Sequence, residues 1–235
     1  MSSPRPSPIG VVCDFDGTAT LLDIGDEVSR HFGGAAHWEA ERAKFASGAL
    51  DTRGIIEAIY THVQASEAEV REFAARTGRL RPGFAELVEA CRARGAPFIL
   101  ASGGLRQYVE AVLEAQLPPE LRAHIELRAN EAHFGPPHLR VTFPWDERSR
   151  AQGCVACGSC KRVAVADLRA RGASWVVGIG DGFADRCLVA HADQAFAKEG
   201  SYLARHCAQS GIVHEAFDTL ERAAAAVREH PGRAR

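Results

Sequence analysis

An apolar run from Ile9 through Val11, Val12 and Cys13 passes directly into Asp14-Phe15-Asp16-Gly17-Thr18, and this junction restricts the possible folds more than any other stretch. Apolar, β-branched residues without polar alternation suit a strand buried on both faces of a parallel sheet. Gly17 then lets the backbone turn sharply out of the sheet. Strand alternation predicts Asp14 and Asp16 on one side with Phe15 opposite, so both carboxylates converge at the strand's carboxyl end. Open α/β sheets bind ligands there. Neighbouring carboxylates repel unless they share a proton or a cation, and hard oxygen donors on a compact turn suit Mg²⁺. The plainer alternative is a pair of solvated turn aspartates.

The chain has 235 residues and a formal net charge of −2 with both signs scattered along it. That distribution makes no electrostatic case for nucleic acid or an anionic membrane, and a small-molecule partner is expected. Ser2-Ser3-Pro4-Arg5-Pro6-Ser7-Pro8 has too little apolar length for a signal peptide, and no later stretch reaches a membrane span. Residues 1–8 are expected to form a disordered leader. Seven cysteines, an odd number without an export signal, point to a reducing cytoplasm rather than a disulfide framework.

Beyond Thr18, apolar residues recur at helical spacing over Gly25 to Phe32, Trp38 to Phe45, Thr52 to His62 and Glu67 to Arg76, the last opened by a Ser66/Glu69 capping box. A helical cap over residues 19–81 is therefore expected to interrupt a core made of residues 9–18 and 82–230, where it can close over the first strand and exclude water. From Pro82 onward strands and helices alternate. A helix over Phe84 to Arg94 leads to the strand Pro97 to Ala101 and an expected turn at Ser102-Gly103-Gly104, whose hydroxyl and open backbone suit an anion beside a helix start. Ile125 to Asn130 and Leu139 to Trp145, separated by Gly135-Pro136-Pro137, predict a β-hairpin extension. Cys154, Cys157 and Cys160 are spaced like metal ligands but lack a fourth, so reduced thiols shaping a packed loop, without stoichiometric zinc, are expected. Lys161 opens a helix. Trp175 to Ile179 then repeats the buried-strand pattern and ends in Gly180-Asp181-Gly182-Phe183-Ala184-Asp185. If that strand adjoins the first in parallel, Asp181 joins Asp14 and Asp16 in an oxygen cage for Mg²⁺, with Asp185 holding a metal-bound water or orienting Lys161. Short strands at Gln194 to Ala197 and Ile212-Val213 and a helix over Thr219 to Glu229 complete the expected α/β architecture, a Rossmann-like parallel sheet.

Asp14-Phe15-Asp16-Gly17-Thr18, Ser102-Gly103-Gly104, Lys161 and Gly180 to Asp185 together resemble, in order, the four motifs of the haloacid dehalogenase superfamily of phosphatases. The cap after the first motif resembles the phosphoserine phosphatase branch. Arg81-Pro82-Gly83-Phe84, Cys157-Gly158-Ser159-Cys160-Lys161 and Phe196-Ala197-Lys198 resemble the methionine-salvage phosphatases that act on 2-hydroxy-3-keto-5-methylthiopentenyl-1-phosphate. Where phosphoserine phosphatases carry a glutamate for the amino acid end of the substrate, this chain has Asp23, which tilts the reading away from phosphoserine. The resemblance implies a Mg²⁺-dependent phosphomonoester hydrolase with Asp14 as nucleophile, Asp16 as acid and base, and Mg²⁺ on Asp14, Asp181 and the Asp16 backbone carbonyl. It implies phosphate binding by Ser102, Gly103 and Lys161, and support from Thr18 and Asp185. Asp23 and Glu27 are the polar candidates for substrate contact in the cap. Phosphoserine phosphatase and a catalytically silent phosphate-binding protein are the alternatives. The sequence leaves open water or an alcohol as acceptor, and monomer or homodimer.

Overall fold

The computed structural model describes residues 8–136 and 138–231. The leader expected at residues 1–8 therefore lies outside the described residues except for Pro8, and so does Pro137 of the hairpin turn. Seven strands form one sheet: β1 (Ile9–Cys13), β2 (Phe98–Leu105), β3 (Ile125–His133), β4 (Arg140–Thr142), β5 (Trp175–Gly180), β6 (Gln194–Lys198) and β7 (His214–Phe217), in the order β4-β3-β2-β1-β5-β6-β7. Only the β3/β4 pair is antiparallel, which is the expected hairpin at one edge. The chain winds outward from β1 through β2 to β3, then returns to the other side of β1 for β5, β6 and β7. The carboxyl ends of β1, β2 and β5 thus flank the point where the winding reverses, the crevice such sheets use for ligands.

Strand alternation sorts β1 between two helical layers. Ile9, Val11 and Cys13 join a core with α5 (Phe84–Ala93) and α12 (Glu221–Glu229), while Val12 packs with Ala164, Val165 and Leu168 of α9 (Lys161–Ala170) on the opposite face. Between β1 and α5 lie four helices, α1 (Ile24–Gly33), α2 (Ala35–Ala46), α3 (Thr52–Tyr60) and α4 (Glu67–Thr77), the last with the predicted capping box. The segment rests on the sheet layer at two seats. α4 packs along α6 (Arg106–Gln116), and α3 meets the β4 side, where Arg53 pairs with Asp146 at 2.6 Å and its amide bonds to the Ala156 carbonyl at 2.9 Å. The other helices are α7 (Pro119–Arg122), α8 (Asp146–Ala151), α10 (Arg186–Val189) and α11 (Tyr202–Ser210).

Three local expectations need correction. Ser102-Gly103-Gly104 is not a turn: β2 runs on to Leu105, and a register shift against β3 between Ala101 and Leu105 absorbs the small residues. The last strand lies at His214–Phe217 rather than Ile212-Val213, because Gly211 ends α11 in the left-handed region and the ladder starts only where His214 pairs with Ala195. The helix that Asp185 enters, expected to run through Leu188 to Ala192, stops at Val189.

The two connections into and out of the helical segment form a neck. Thr20 and Leu80 bridge in antiparallel fashion, and the Leu21 and Arg81 amides donate to the Arg79 and Ala19 carbonyls at 2.9 and 2.7 Å. Arg81, 3% exposed, fills the neck. Its Nε donates to Thr18 O at 2.7 Å, its Nη2 to Gly17 O and Thr20 O at 2.8 and 3.0 Å, and its Nη1 to Asp218 O at 3.0 Å. Buried carbonyls need donors, and one guanidinium serves four here. Replacing it strands several of them at once. Arg81→Leu is therefore expected to lower unfolding free energy by roughly 3 kcal/mol, measurable as a reduced midpoint in urea.

Candidate active site

β1 ends at Cys13, and the two aspartates after it are placed by a wide turn rather than by strand alternation. The Ala19 and Thr20 amides reach back five residues to the carbonyls of Asp14 and Phe15 at 3.3 and 3.0 Å. Gly17 sits at φ +73°, and a Cβ there would come 2.6 Å from Asp181 Oδ2. Only glycine meets both demands. The turn separates the two carboxylates, sending Asp14 toward β5 and Asp16 toward the helical segment.

On the β5 side, Lys161 Nζ donates to Asp14 Oδ1 and to Asp185 Oδ1. Asp185 Oδ2 accepts from the amides of Asp181 and Gly182 at 2.9 and 2.8 Å, and Thr18 Oγ1 donates to Asp181 Oδ1 at 3.0 Å. Asp14, Asp181 and Asp185 each offer an oxygen within 4.8 Å of the other two. Asp185, 1% exposed, thus anchors Lys161 and shapes the β5 exit. Three carboxylates share one ammonium. Burial first, and then the charge of Asp185, push the Asp14 carboxyl well above its usual range despite the pull of Lys161. The same two causes raise Asp181 to about 6, with Thr18 and Lys161 pulling it back. For Lys161, burial disfavours the ammonium, but Asp14 and Asp185 outweigh it and hold the pKa above the ordinary lysine range.

Asp16 is saturated on the opposite side. Its Oδ1 accepts from the first amides of α1, Ile24 and Gly25, at 2.9 and 3.3 Å, and its Oδ2 accepts from Tyr108 Oη at 2.7 Å and Ser102 Oγ at 3.2 Å. Burial raises the Asp16 carboxyl, while these donors favour its ionised form. Ser102 Oγ is fixed in turn by the Gly104 amide at 2.8 Å, and Asn130 Nδ2 holds the Gly103 carbonyl at 2.7 Å. A side chain at Gly104 would collide with Tyr108 Oη and approach Asp16 Oδ2 to 2.8 Å. The cluster is built around that missing atom.

These groups open onto a cleft of about 1220 Å³ between the strand ends and the helical segment. Asp14, Asp16, Gly103, Lys161, Asp181 and Lys198 line its floor, and Phe45, Leu50, Ile55, Ile56 and Ile59 line its roof. Asp23, N-cap of α1, lines it as well. Glu27 does not: it lies one turn further along α1 beside Arg30, 3.9 Å away. Asp16 contributes its side chain to the α1 and Tyr108 cluster rather than to the carboxylate triad. Tyr108, Asn130 and Arg81 are absent from the sequence-based candidates, since each acts through a partner distant in sequence.

A family model described as haloacid dehalogenase-like hydrolase matches residues 11–190. A protein of Geobacillus kaustophilus (strain HTA426) named 2-hydroxy-3-keto-5-methylthiopentenyl-1-phosphate phosphatase is 30% identical over 209 residues, covering 88% of this chain and 90% of its own length. Among solved structures, a HAD family hydrolase from Salmonella enterica subsp. enterica serovar Typhi superposes with a TM-score of 0.74 at 18% identity, over 97% of this chain and 74% of that one. A phospho-aspartyl intermediate analogue of phosphoserine phosphatase does so with a TM-score of 0.64 at 16% identity, over 86% and 91%. At those identities the structural likeness speaks to the fold alone.

The charge imbalance has a measurable sign. Asp14 and Asp181 hold protons in the folded chain that they release at ordinary carboxylate pKa values when unfolded, so stability falls as pH rises from about 4 through and beyond 6. In chelator-treated protein the thermal midpoint is expected to drop between pH 5 and pH 8. Mg²⁺ should restore more of it at pH 8 than at pH 5. A midpoint unaffected by Mg²⁺ at pH 8 would contradict this reading.

Proposed function

The chain belongs to the haloacid dehalogenase-like hydrolases and is a phosphatase, and from that premise we propose that it hydrolyses a small phosphate monoester with an apolar tail through an aspartyl-phosphate on Asp14. The donor set supports a divalent cation: three clustered carboxylates against one ammonium leave two negative charges uncompensated, and hard oxygens suit Mg²⁺. Asp14 and Asp181, with the Asp16 backbone carbonyl, would hold it. Bound there, it would neutralise charge on the phosphoryl oxygens.

The chain's own residues supply the remaining chemistry. Asp14, whose Oδ1 is held by Lys161, attacks phosphorus through its other carboxylate oxygen. Lys161, the Ser102 hydroxyl and the Gly103 backbone bind the phosphoryl oxygens, so that positioning and charge stabilisation carry most of the barrier lowering. Asp16, raised by burial, protonates the departing alkoxide and then takes the proton of the water that attacks the aspartyl-phosphate. Inorganic phosphate leaves and Asp14 is regenerated.

The observation that carries the substrate class is the roof of the cleft. Phe45, Leu50, Ile55, Ile56 and Ile59 cover it, and Ile56 Cδ1 comes within 3.4 Å of an atom built on Gly103, directly over the proposed phosphoryl site. An apolar methylthio tail loses water favourably against such a surface, whereas the ammonium and carboxylate of phosphoserine would be desolvated there. This favours 2-hydroxy-3-keto-5-methylthiopentenyl-1-phosphate or a similar ester, in keeping with the name of the Geobacillus relative. Phosphoserine is the second reading, supported by Asp23, Asp26 and Arg42 at the rim of the same cleft.

Asp14→Asn is expected to reduce Mg²⁺-dependent phosphate release from p-nitrophenyl phosphate by about 10³-fold or more while leaving the fold intact, and a chelator should stop turnover of the unaltered enzyme. In a panel of esters, kcat/KM for the methylthiopentenyl phosphate should exceed that for phosphoserine, and Ile56→Ala should lower the former by roughly 10-fold while sparing the latter. A preference for phosphoserine would overturn the substrate assignment without touching the phosphatase chemistry.

A further inference from the structure

The stretch of β2 that enters the floor of the cleft is the stretch its neighbours hold least. β1 pairs with β2 only as far as Leu100. On the other side Ala101 pairs with Arg128 and Leu105 with Asn130, so Ser102, Gly103 and Gly104 stand opposite Ala129 alone, and their backbone groups need other partners. Side chains supply them. The Gly103 carbonyl accepts from Asn130 Nδ2 at 2.7 Å, and the next amide, that of Gly104, donates to Ser102 Oγ at 2.8 Å. Both ends of the Gly103–Gly104 peptide are thereby fixed.

Asn130 is fully buried, and its Oδ1 has no hydrogen-bond partner among the described residues. A buried amide with an orphaned acceptor is a poor way to fill space, because that oxygen has lost water and gained nothing in return. Its donor end is the part the fold uses. Adjacent glycines have wide backbone freedom, and a donor on their shared peptide is a restraint that their missing side chains cannot give. The residues after Asn130 extend the clamp. Glu131 pairs with Arg106, and the Ala132 backbone bonds the Gln107 side chain through both of its polar groups, at 3.1 and 3.2 Å. β3 thus sets the passage from β2 into α6 residue by residue.

We propose that Asn130 is a positioning residue for phosphoryl binding, a role that rests on Gly103 meeting the phosphoryl oxygens as proposed above: its hold on the Gly103 carbonyl fixes the aim of the Gly103 amide before substrate arrives. Asn130 touches no ligand itself. Gly103 lines the cleft and Asn130 does not. Donors already in place need no reorganisation as charge develops on the substrate, which is where most of their value to a reaction lies. Without the Asn130 amide, the peptide between two glycines is free to rotate, and that preparation is lost.

Asn130→Asp separates the donor from the space it fills. The new side chain has the shape of the amide. Protonated, it keeps an O–H for the Gly103 carbonyl; ionised, it can only set its own lone pairs against that oxygen. Burial and the facing carbonyl both favour the protonated acid, which places its pKa above the usual aspartate range. The donor is therefore present at acid pH and lost as pH rises.

The test uses the full-length protein with Mg²⁺, p-nitrophenyl phosphate as substrate and inorganic phosphate as competitive inhibitor, each variant compared with the unaltered protein at the same pH. In Asn130→Ala, kcat is expected to fall by roughly 30-fold and the inhibition constant for phosphate to rise by about 10-fold. Asn130→Asp should match Asn130→Ala at about pH 8.5 and come within about 3-fold of the unaltered protein at about pH 5.5, on both measures. The inhibition constant belongs to the folded fraction alone, so a purely structural loss lowers the rate without moving it. Should Asn130→Ala not fold, the pH series of Asn130→Asp decides. An unchanged inhibition constant in Asn130→Ala, or an Asn130→Asp variant that acid pH does not restore, would overturn the proposal, and hydrolysis by the unaltered protein would leave the phosphatase reading standing. Unaltered protein that releases no phosphate would overturn both.

Discussion

The buried ammonium of Lys161, held between Asp14 and Asp185, is the interaction on which the rest of the structure depends. Both acids lie almost out of water, and removing one partner from such a cluster leaves an uncompensated charge, the costly case for buried ion pairs. The three residues come from the tip of β1, the first turn of α9 and the turn after β5. That juxtaposition exists only because β1 and β5 pair in parallel through five residues, with Asp14 N bonded to Ile179 O at 2.9 Å. Fold and site are one constraint: the sheet order that buries Val11 and Val177 also sets Asp14 beside Asp181.

Asp185 illustrates how one carboxylate can serve fold and chemistry at once. One oxygen pairs with Lys161 while the other accepts the amides of Asp181 and Gly182, which tightens the turn that presents Asp181. It is the carboxylate of the triad with the most donors and the least exposure. Asp14 and Asp181, which have fewer donors, are the pair better suited to an ion and a reacting phosphate.

What was legible in the chain beforehand followed from local physics. Val11, Val12, Val176 and Val177 announce buried strands, and an acid or glycine directly after such a run marks a strand exit whatever the neighbours are. The Ser66/Glu69 box, the parallel core and the edge hairpin are legible for the same reason. The orientation of side chains beyond the strand ends is not. Asp14 and Asp16 diverge because a wide turn intervenes where alternation was assumed, and the donors that hold Asp16 come from Ile24, Ser102 and Tyr108, up to 92 residues away. The role of Arg81 was invisible for a related reason: it is set by groups that only the folded chain brings near. Periodicity encodes which face is buried, and says nothing of which distant partner occupies it.

Asp16 also joins the helical segment to the chemistry proposed for the floor. Two of its four donors are the opening amides of α1, so the carboxylate caps that helix much as an N-cap side chain would, with the added attraction of the helix dipole. The other two, Ser102 and Tyr108, belong to β2 and α6. A displacement of α1 relative to the sheet would therefore remove two of the donors that favour the ionised acid and change its burial at the same time. For a group proposed to give a proton in one half-reaction and accept it in the next, a position shared between the two parts of the molecule ties its proton affinity to how the segment sits, and places that control on backbone amides rather than on a further titrating side chain.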